Sequence, residues 1–166
     1  YDLKLDREPT CEELIRDIGE VSDHSEVVFC GFGEPTLRLG IIKKVGSYVK
    51  SKGGSVRLTT NGTGNLIYGR KIAPELSGAV DKLSVSLNSP DAATYAHMCR
   101  PVFGQAAYGA VLDLISECTS QGMEVEVTCL DVVGEEDIDK CRKIAQERGA
   151  RFRLRHLDIE IGRAHV

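Results

Sequence analysis

No pair of cysteines in this chain is spaced to hold a metal. The six, Cys11, Cys30, Cys99, Cys118, Cys129 and Cys141, come no closer to one another than eleven positions, so CxxC and related ligand spacings are missing. Cys11, Cys118 and Cys141 fall on apolar helical stripes and Cys30 and Cys129 within strands, and all five read as small buried hydrophobes. Nor is there an uncharged run near the roughly 18 residues that a membrane span needs, or a basic-then-apolar leader. The expectation is a soluble, cytoplasmic protein, in which the sequon Asn61-Gly62-Thr63 carries no sugar. Charge of neither sign dominates, because 21 basic against 25 acidic side chains leave a net charge of -4. Such a balance gives no general attraction to nucleic acid or an anionic membrane, and a small-molecule partner is expected instead. GxSxG and HExxH are missing too, and His24, His97, His156 and His165 are scattered, so a hydrolase has no motif to stand on.

What is present is alternation. At 166 residues the chain fits one domain, taken as residues 1 to 157 with an unpatterned tail at 158 to 166. Thr10 and Glu13 have capping-box spacing, and Cys11, Leu14, Ile15 and Ile18 follow at helical period. The apolar run 26 to 30 reads as a strand, after which Ile41, Ile42, Val45, Tyr48 and Val49 form a stripe backed by Lys43, Lys44 and Lys50. Strand 55 to 60, a short helix around 70 to 77, strand 81 to 88 and a helix capped near Ser89-Pro90 come next. A helix through Val111, Leu114, Ile115 and Cys118, strand 124 to 130, a helix through Ile138, Cys141, Ile144 and Ala145, and strand 151 to 157 complete the series. Five strands alternating with helices imply an α/β fold with a parallel sheet, open or part of a barrel.

A parallel strand covered on both faces should be almost continuously apolar, and these are not. Val56, Leu58 and Thr60 alternate with Arg57, Thr59 and Asn61, and Leu83, Val85 and Leu87 with Lys82, Ser84, Ser86 and Asn88. Val125, Val127 and Cys129 oppose Glu124, Glu126 and Thr128, and Phe152 and Leu154 oppose Arg151, Arg153 and Arg155. The period is two, so one face packs helices and the other is polar. Four such strands predict a partly open barrel with a wet ligand cavity, since a filled barrel would hold branched apolar side chains inside.

The stretch Cys30-Gly31-Phe32-Gly33-Glu34-Pro35-Thr36-Leu37-Arg38 lies where the first visible strand hands over to a helix. Glycines there would permit a phosphate cradle, but the third glycine is missing and Glu34 repels phosphate. A carboxylate at this strand end favours a cationic group, an ammonium or a sulfonium. Pro35 fixes the turn, and Thr36 is placed to cap the next helix.

This stretch resembles the GGE-type element of radical S-adenosylmethionine (SAM) enzymes, and the polar-faced strands resemble their partial (β/α)6 TIM-like barrel. Residues 1 to 10, 61 to 76, 85 to 101 and 141 to 155 are together similar to the small radical SAM family associated with TatD-type hydrolases. The resemblance implies that Glu34 and the backbone of Phe32 and Gly33 hold the SAM amino group, with Gly31 and Pro35 also in the cofactor site. It implies Asn61, Ser84 and Ser86 near the ribose and carboxylate, and Thr128, Leu130 and Val133 near the adenine. Arg153 or Arg155 then pairs with the SAM carboxylate or with an acidic substrate. The family's CxxxCxxC loop, which ligates a 4Fe-4S cluster, is not found, and the implication is that it precedes Tyr1 together with a first strand, leaving this chain an inactive fragment. The implied chemistry of the whole protein is reductive cleavage of SAM to methionine and a 5'-deoxyadenosyl radical, which takes a hydrogen from an unknown substrate. A functional link to a TatD-type hydrolase is implied as well.

Two other readings remain open at this stage. One is a non-redox small-molecule-binding module that uses the cavity for a cation without catalysis. The other is a lyase or aldolase built on a lumen lysine, for which Lys82 is the candidate.

Overall fold

The computed structural model describes residues 7–31 and 33–156. The residues before Arg7, Phe32 and the tail, residues 158 to 166, therefore lie outside the described residues. Five strands, β1 (Val27–Phe29), β2 (Val56–Thr60), β3 (Lys82–Ser86), β4 (Glu124–Leu130) and β5 (Arg151–Arg155), form one sheet in sequential order. Every pairing is parallel, so each connection must carry the chain back across the sheet, as the alternating pattern predicts.

Helix α1 (Cys11–Ile18) precedes the sheet, and six helices supply those returns: α2 (Leu39–Ser51), α3 (Gly64–Tyr68), α4 (Ala73–Leu76), α5 (Ala92–Cys99), α6 (Ala106–Ser120) and α7 (Glu135–Glu147). The capping box at α1 is present: Thr10 Oγ1 accepts from Glu13 N at 3.3 Å, and Thr10 N donates to Glu13 Oε2 at 2.9 Å. Arg7 closes on the same carboxylate and, with the bond from the Thr10 backbone, lowers its pKa to about 2.

Two details differ from the sequence reading. The short helix expected around 70 to 77 is α4, but the glycine-containing stretch before it holds a further short helix, α3, which ends where Gly69 adopts a left-handed φ of +61°. The helix after β3 is capped by Asp91 rather than Ser89, with Asp91 Oδ1 accepting from Ala93 N at 3.0 Å and Thr94 N at 2.9 Å.

The helix-facing side of the sheet buries Val56, Leu58, Leu83, Val85, Val125 and Val127 against Ile42, Val49, Leu114 and Ile115. Close approach of α2 to the segment behind α4 requires a glycine: a Cβ on Gly46 would fall on the Ala79 carbonyl oxygen. Gly46→Ala is expected to destabilise by about 1–3 kcal/mol through overpacking, seen as a lowered urea midpoint with unchanged m-value.

Residues sharing a row on the other face are set by register. Arg57, Lys82 and Glu124 form one row, Thr59, Ser84, Glu126 and Arg151 the next, and Ser86, Thr128 and Arg153 a third towards the carboxyl ends. Long charged side chains fill the first row and pair with one another. Glu26 accepts from Arg57 Nε at 2.6 Å and Lys82 Nζ at 3.1 Å, and Arg151 pairs with Glu124. Burial raises the Glu26 carboxyl, yet the bonds from Arg57 and Lys82 outweigh it and the group lies below its ordinary 4.5. A depressed carboxylate stabilises fully above its unfolded pKa and loses that contribution as pH falls through the folded one. Glu26→Gln is therefore expected to flatten the acid limb of a stability-against-pH profile below its ordinary value of 4.5.

Candidate functional site

The carboxyl ends of β1 to β4 carry the polar groups that the sequence reading selected. β1 ends at Phe29, so Cys30 opens the loop and is exposed, not buried as its strand assignment suggested. Gly33 has φ +89°, a conformation that a side chain would strain, and a Cβ there would meet open space. The requirement for glycine is conformational and leaves the loop backbone uncovered.

Glu34 does not hang free at the end of this loop. It caps the 3₁₀ turn Pro35–Arg38, the role that the sequence reading gave to Thr36. Its Oε1 accepts from Thr36 N at 3.0 Å, Thr36 Oγ1 at 2.6 Å and Thr60 Oγ1 at 2.6 Å, and its Oε2 accepts from Asn61 N at 2.7 Å. A carboxylate offers about four lone-pair sites, so Oε1 is saturated and one acceptor site remains on Oε2. Thr60 continues the helix-facing series of Val56 and Leu58, which turns the carboxylate towards the helices and away from the polar face. Thr36 and Thr60 are 0% and 3% exposed, whereas Glu34 is half-buried and Asn61 exposed, so the threonine side of the clamp is shielded from water, and bonds to an ionised acceptor there are stronger than neutral ones.

Expected as an open counter-charge for a cation, Glu34 is mainly a strap from the β1 loop to the end of β2. Among the described residues no donor reaches the carbonyl oxygens of Gly31 and Gly33, and these, with the remaining Oε2 site, are the acceptors left for an ammonium. Asn61, next to the strap, is held by its own turn, its Oδ1 accepting from Thr63 N at 2.9 Å and Thr63 Oγ1 at 2.7 Å.

Across the polar face, Ser84 is 7% exposed and its hydroxyl has no partner among the described residues, and because no buried side-chain polar atom there is left unsatisfied, it opens to solvent where a ligand can reach it. Ser86 is half-buried one pleat further on. Thr128 is buried, and its Oγ1 donates to Val85 O at 3.4 Å. Leu130 is half-buried at the end of β4, whereas Val133, in the turn beyond, packs against the core. Arg153 pairs with Glu126 at 3.5 Å. Register thus unites Ser86, Thr128 and Arg153 in one row with Ser84 just below, and the strap holds Gly31, Gly33, Glu34, Pro35 and Asn61 at the other side. Phe32 lies outside the described residues.

Thr36, Thr60 and Tyr95 escaped the sequence reading as site residues. A hydroxyl at the last helix-facing position of an otherwise apolar strand was the available signal for Thr60. Tyr95 on α5 is 2% exposed and packs on Tyr108, ring centroids 5.7 Å apart. Burial first, then the charges of Cys99 and Glu34, push its phenol up to about 12. Lys82 stands in the first row, at the opposite end of the strands from the loop, and is paired with Glu26, so the geometry gives the aldolase reading no site. Among the described residues no three His, Cys, Asp or Glu side chains converge on a point where a metal would sit. Cys11, Cys118, Cys129 and Cys141 are buried apart from the exposed Cys30 and Cys99. The chain's described residues fit SAM but do not fit a 4Fe-4S cluster.

A parallel α/β sheet with its polar residues gathered at the carboxyl ends of the strands is the class of ligand-binding scaffold to which partial TIM-like barrels belong. Residues 1–147 match the model of the radical SAM superfamily, and the chain belongs to that superfamily. No curated protein sequence matches it. Among solved structures it resembles Streptococcus suis SuiB bound to precursor peptide SuiA, with 18% identity, a TM-score of 0.73, and 95% of this chain covering 35% of that one. It also resembles SuiB bound to S-adenosylmethionine, with 18% identity, a TM-score of 0.69, and 92% of this chain covering 34% of that one. A third similar structure is TYW1 with a lysine-pyruvate adduct bound, with 16% identity, a TM-score of 0.58, and 87% of this chain covering 49% of that one. The chain thus spans about a third to a half of these proteins' lengths. At such identities the likeness concerns the fold, which is the partial TIM-like barrel. No described helix is long and apolar enough to cross a membrane.

Replacing Thr60 tests the strap. Thr60→Val removes one bond to the half-buried Glu34 carboxylate and the acceptor for Gly62 N at 3.0 Å, and is expected to destabilise by about 1–3 kcal/mol. Thr60→Ser keeps both bonds and should restore most of the loss in the same urea titration.

Proposed function

We propose that this chain is the SAM-binding part of a radical SAM enzyme. The observation that carries the proposal is the Glu34 strap, which sets the loop carbonyls of Gly31 and Gly33 beside a polar face holding the unpartnered hydroxyl of Ser84. In this reading the loop carbonyls and Oε2 of Glu34 take the SAM ammonium. Ser84, Ser86 and Asn61 serve its ribose and carboxylate. Thr128, Leu130 and the backbone at Val133 line the adenine. Were the whole protein to hold a reduced 4Fe-4S cluster beside it, the bound SAM would be a source of radical chemistry on a substrate. This chain's residues orient SAM and exclude competing groups, and its six cysteines do not have the spacing of cluster ligands. The narrower kinship with the TatD-associated group, and any partnership with a TatD-type hydrolase, rest on the sequence stretches alone.

Titration calorimetry with SAM is the direct test. Saturable binding with one site is expected. Glu34→Gln, which places an amide NH2 group among the donors of Thr36, Thr60 and Asn61, is expected to weaken binding by about tenfold or more, equivalent to about 1.4 kcal/mol. No heat from SAM with the unaltered protein would end the proposal. Iron and acid-labile sulfide, assayed after anaerobic reconstitution of this chain beside a version extended through its natural upstream sequence, test the second cofactor. Cluster in the extended form alone is the expected result. No cluster in either, with SAM still bound, would favour the non-redox binding module.

A further inference from the structure

The polar face carries five cations, Arg57, Lys82, Arg151, Arg153 and Arg155, and their acids run out before their row does. Glu26 serves Arg57 and Lys82, Glu124 serves Arg151, and Glu126 serves Arg153. On β5 the pairing has a fixed stagger. Arg151 has Glu126 as its register partner and Arg153 has Thr128, yet each pairs with the acid one pleat closer to the amino end of β4. The same stagger from Arg155 ends at Thr128, where the carboxylate is replaced by a buried hydroxyl that donates to Val85 O. Opposite Arg155 in register stands Leu130. The neighbouring acid, Asp131, is engaged by His156 Nδ1 at 2.8 Å, and Glu34 is turned to the helices. Among the described residues the Arg155 side chain is exposed and has no partner.

We propose that Arg155 is the anion-recognition residue of this face and that the enzyme's substrate presents a carboxylate to it. The inference rests on the SAM-binding reading, because it assigns to the substrate what that reading leaves unassigned. A guanidinium on a strand end is preorganised to take a carboxylate through two parallel N–H bonds. The cofactor's own carboxylate is the wrong source. It is bonded to the same carbon as the ammonium at the β1 loop, and β5 stands at the opposite edge of the sheet from β1, with three strands between them.

Phenylglyoxal modifies free guanidinium groups, and peptide mapping by mass spectrometry follows each arginine separately. With the protein carrying this chain, Arg155 is expected to react faster than the paired Arg151 and Arg153. Glutarate at ten times its dissociation constant should slow Arg155 about tenfold by occupancy, whereas the neutral glutaramide should not. SAM alone should leave the rate unchanged, and Arg155→Gln should bind SAM within about twofold of the unaltered protein, a difference under about 0.5 kcal/mol. Equal effects of glutarate and glutaramide would overturn the proposal. So would protection by SAM, or loss of SAM affinity in the Arg155 variant, since either assigns the guanidinium to the cofactor. Calorimetry on the unaltered protein separates these results from failure of the SAM-binding reading itself.

Discussion

One carboxylate joins the first loop of this sheet to its second strand. β1 contributes three residues and has one strand partner, too little to fix the loop that follows it. Glu34 supplies the fixing through four acceptor contacts, two of them to groups beyond β2's last pleat or on it. Bonds to a charged acceptor contribute about 1.5–3 kcal/mol each in such surroundings, so the tether outweighs the entropy of ordering a few loop residues at about 1–2 kcal/mol apiece. The exposed carbonyls of Gly31 and Gly33 owe their positions to it, and so does the registry between loop and polar face.

That face is graded along the strands. Its amino end holds ion pairs made on or beside the sheet, and its carboxyl end holds short hydroxyls on β3 and β4 beside the arginines of β5. Charges that satisfy one another form a floor, and small polar groups above it leave room. The same period of two that buries Leu58, Leu83 and Val127 on the helix side produces this gradient on the other. Packing and binding are therefore specified by alternate residues of the same strands.

The alternation was legible because it depends only on local period. Arg57, Thr59, Lys82, Ser84, Glu124 and Glu126 announce a polar face, and the five parallel strands follow. Gly69 and Asp91 were less legible, since either of two nearby residues would serve as a stop or a cap and packing decides between them. The orientation of Glu34 was not legible at all. It is settled by Thr60, which is 26 positions away, and a carboxylate beside two glycines looks the same in sequence whether it faces a ligand or a threonine. The pairing of Arg153 was likewise invisible, because the stagger between β4 and β5 is a matter of twist and side-chain reach rather than of spacing.

Strand order that follows chain order has a kinetic meaning. Each new strand docks on the one just made, so each closure spans a single helical crossover rather than the whole chain, although every such parallel pairing still pays for that crossover before it forms. A chain emerging amino end first can add these units one at a time. β1 alone is too short to wait as a stable edge, and its loop acquires its shape only when Thr60 and Asn61 arrive to receive Glu34. The segment with the greatest functional demand on its geometry is thus moulded by the unit made after it, and the growing nascent chain passes through a stage in which the scaffold has begun and the ligand loop has not set.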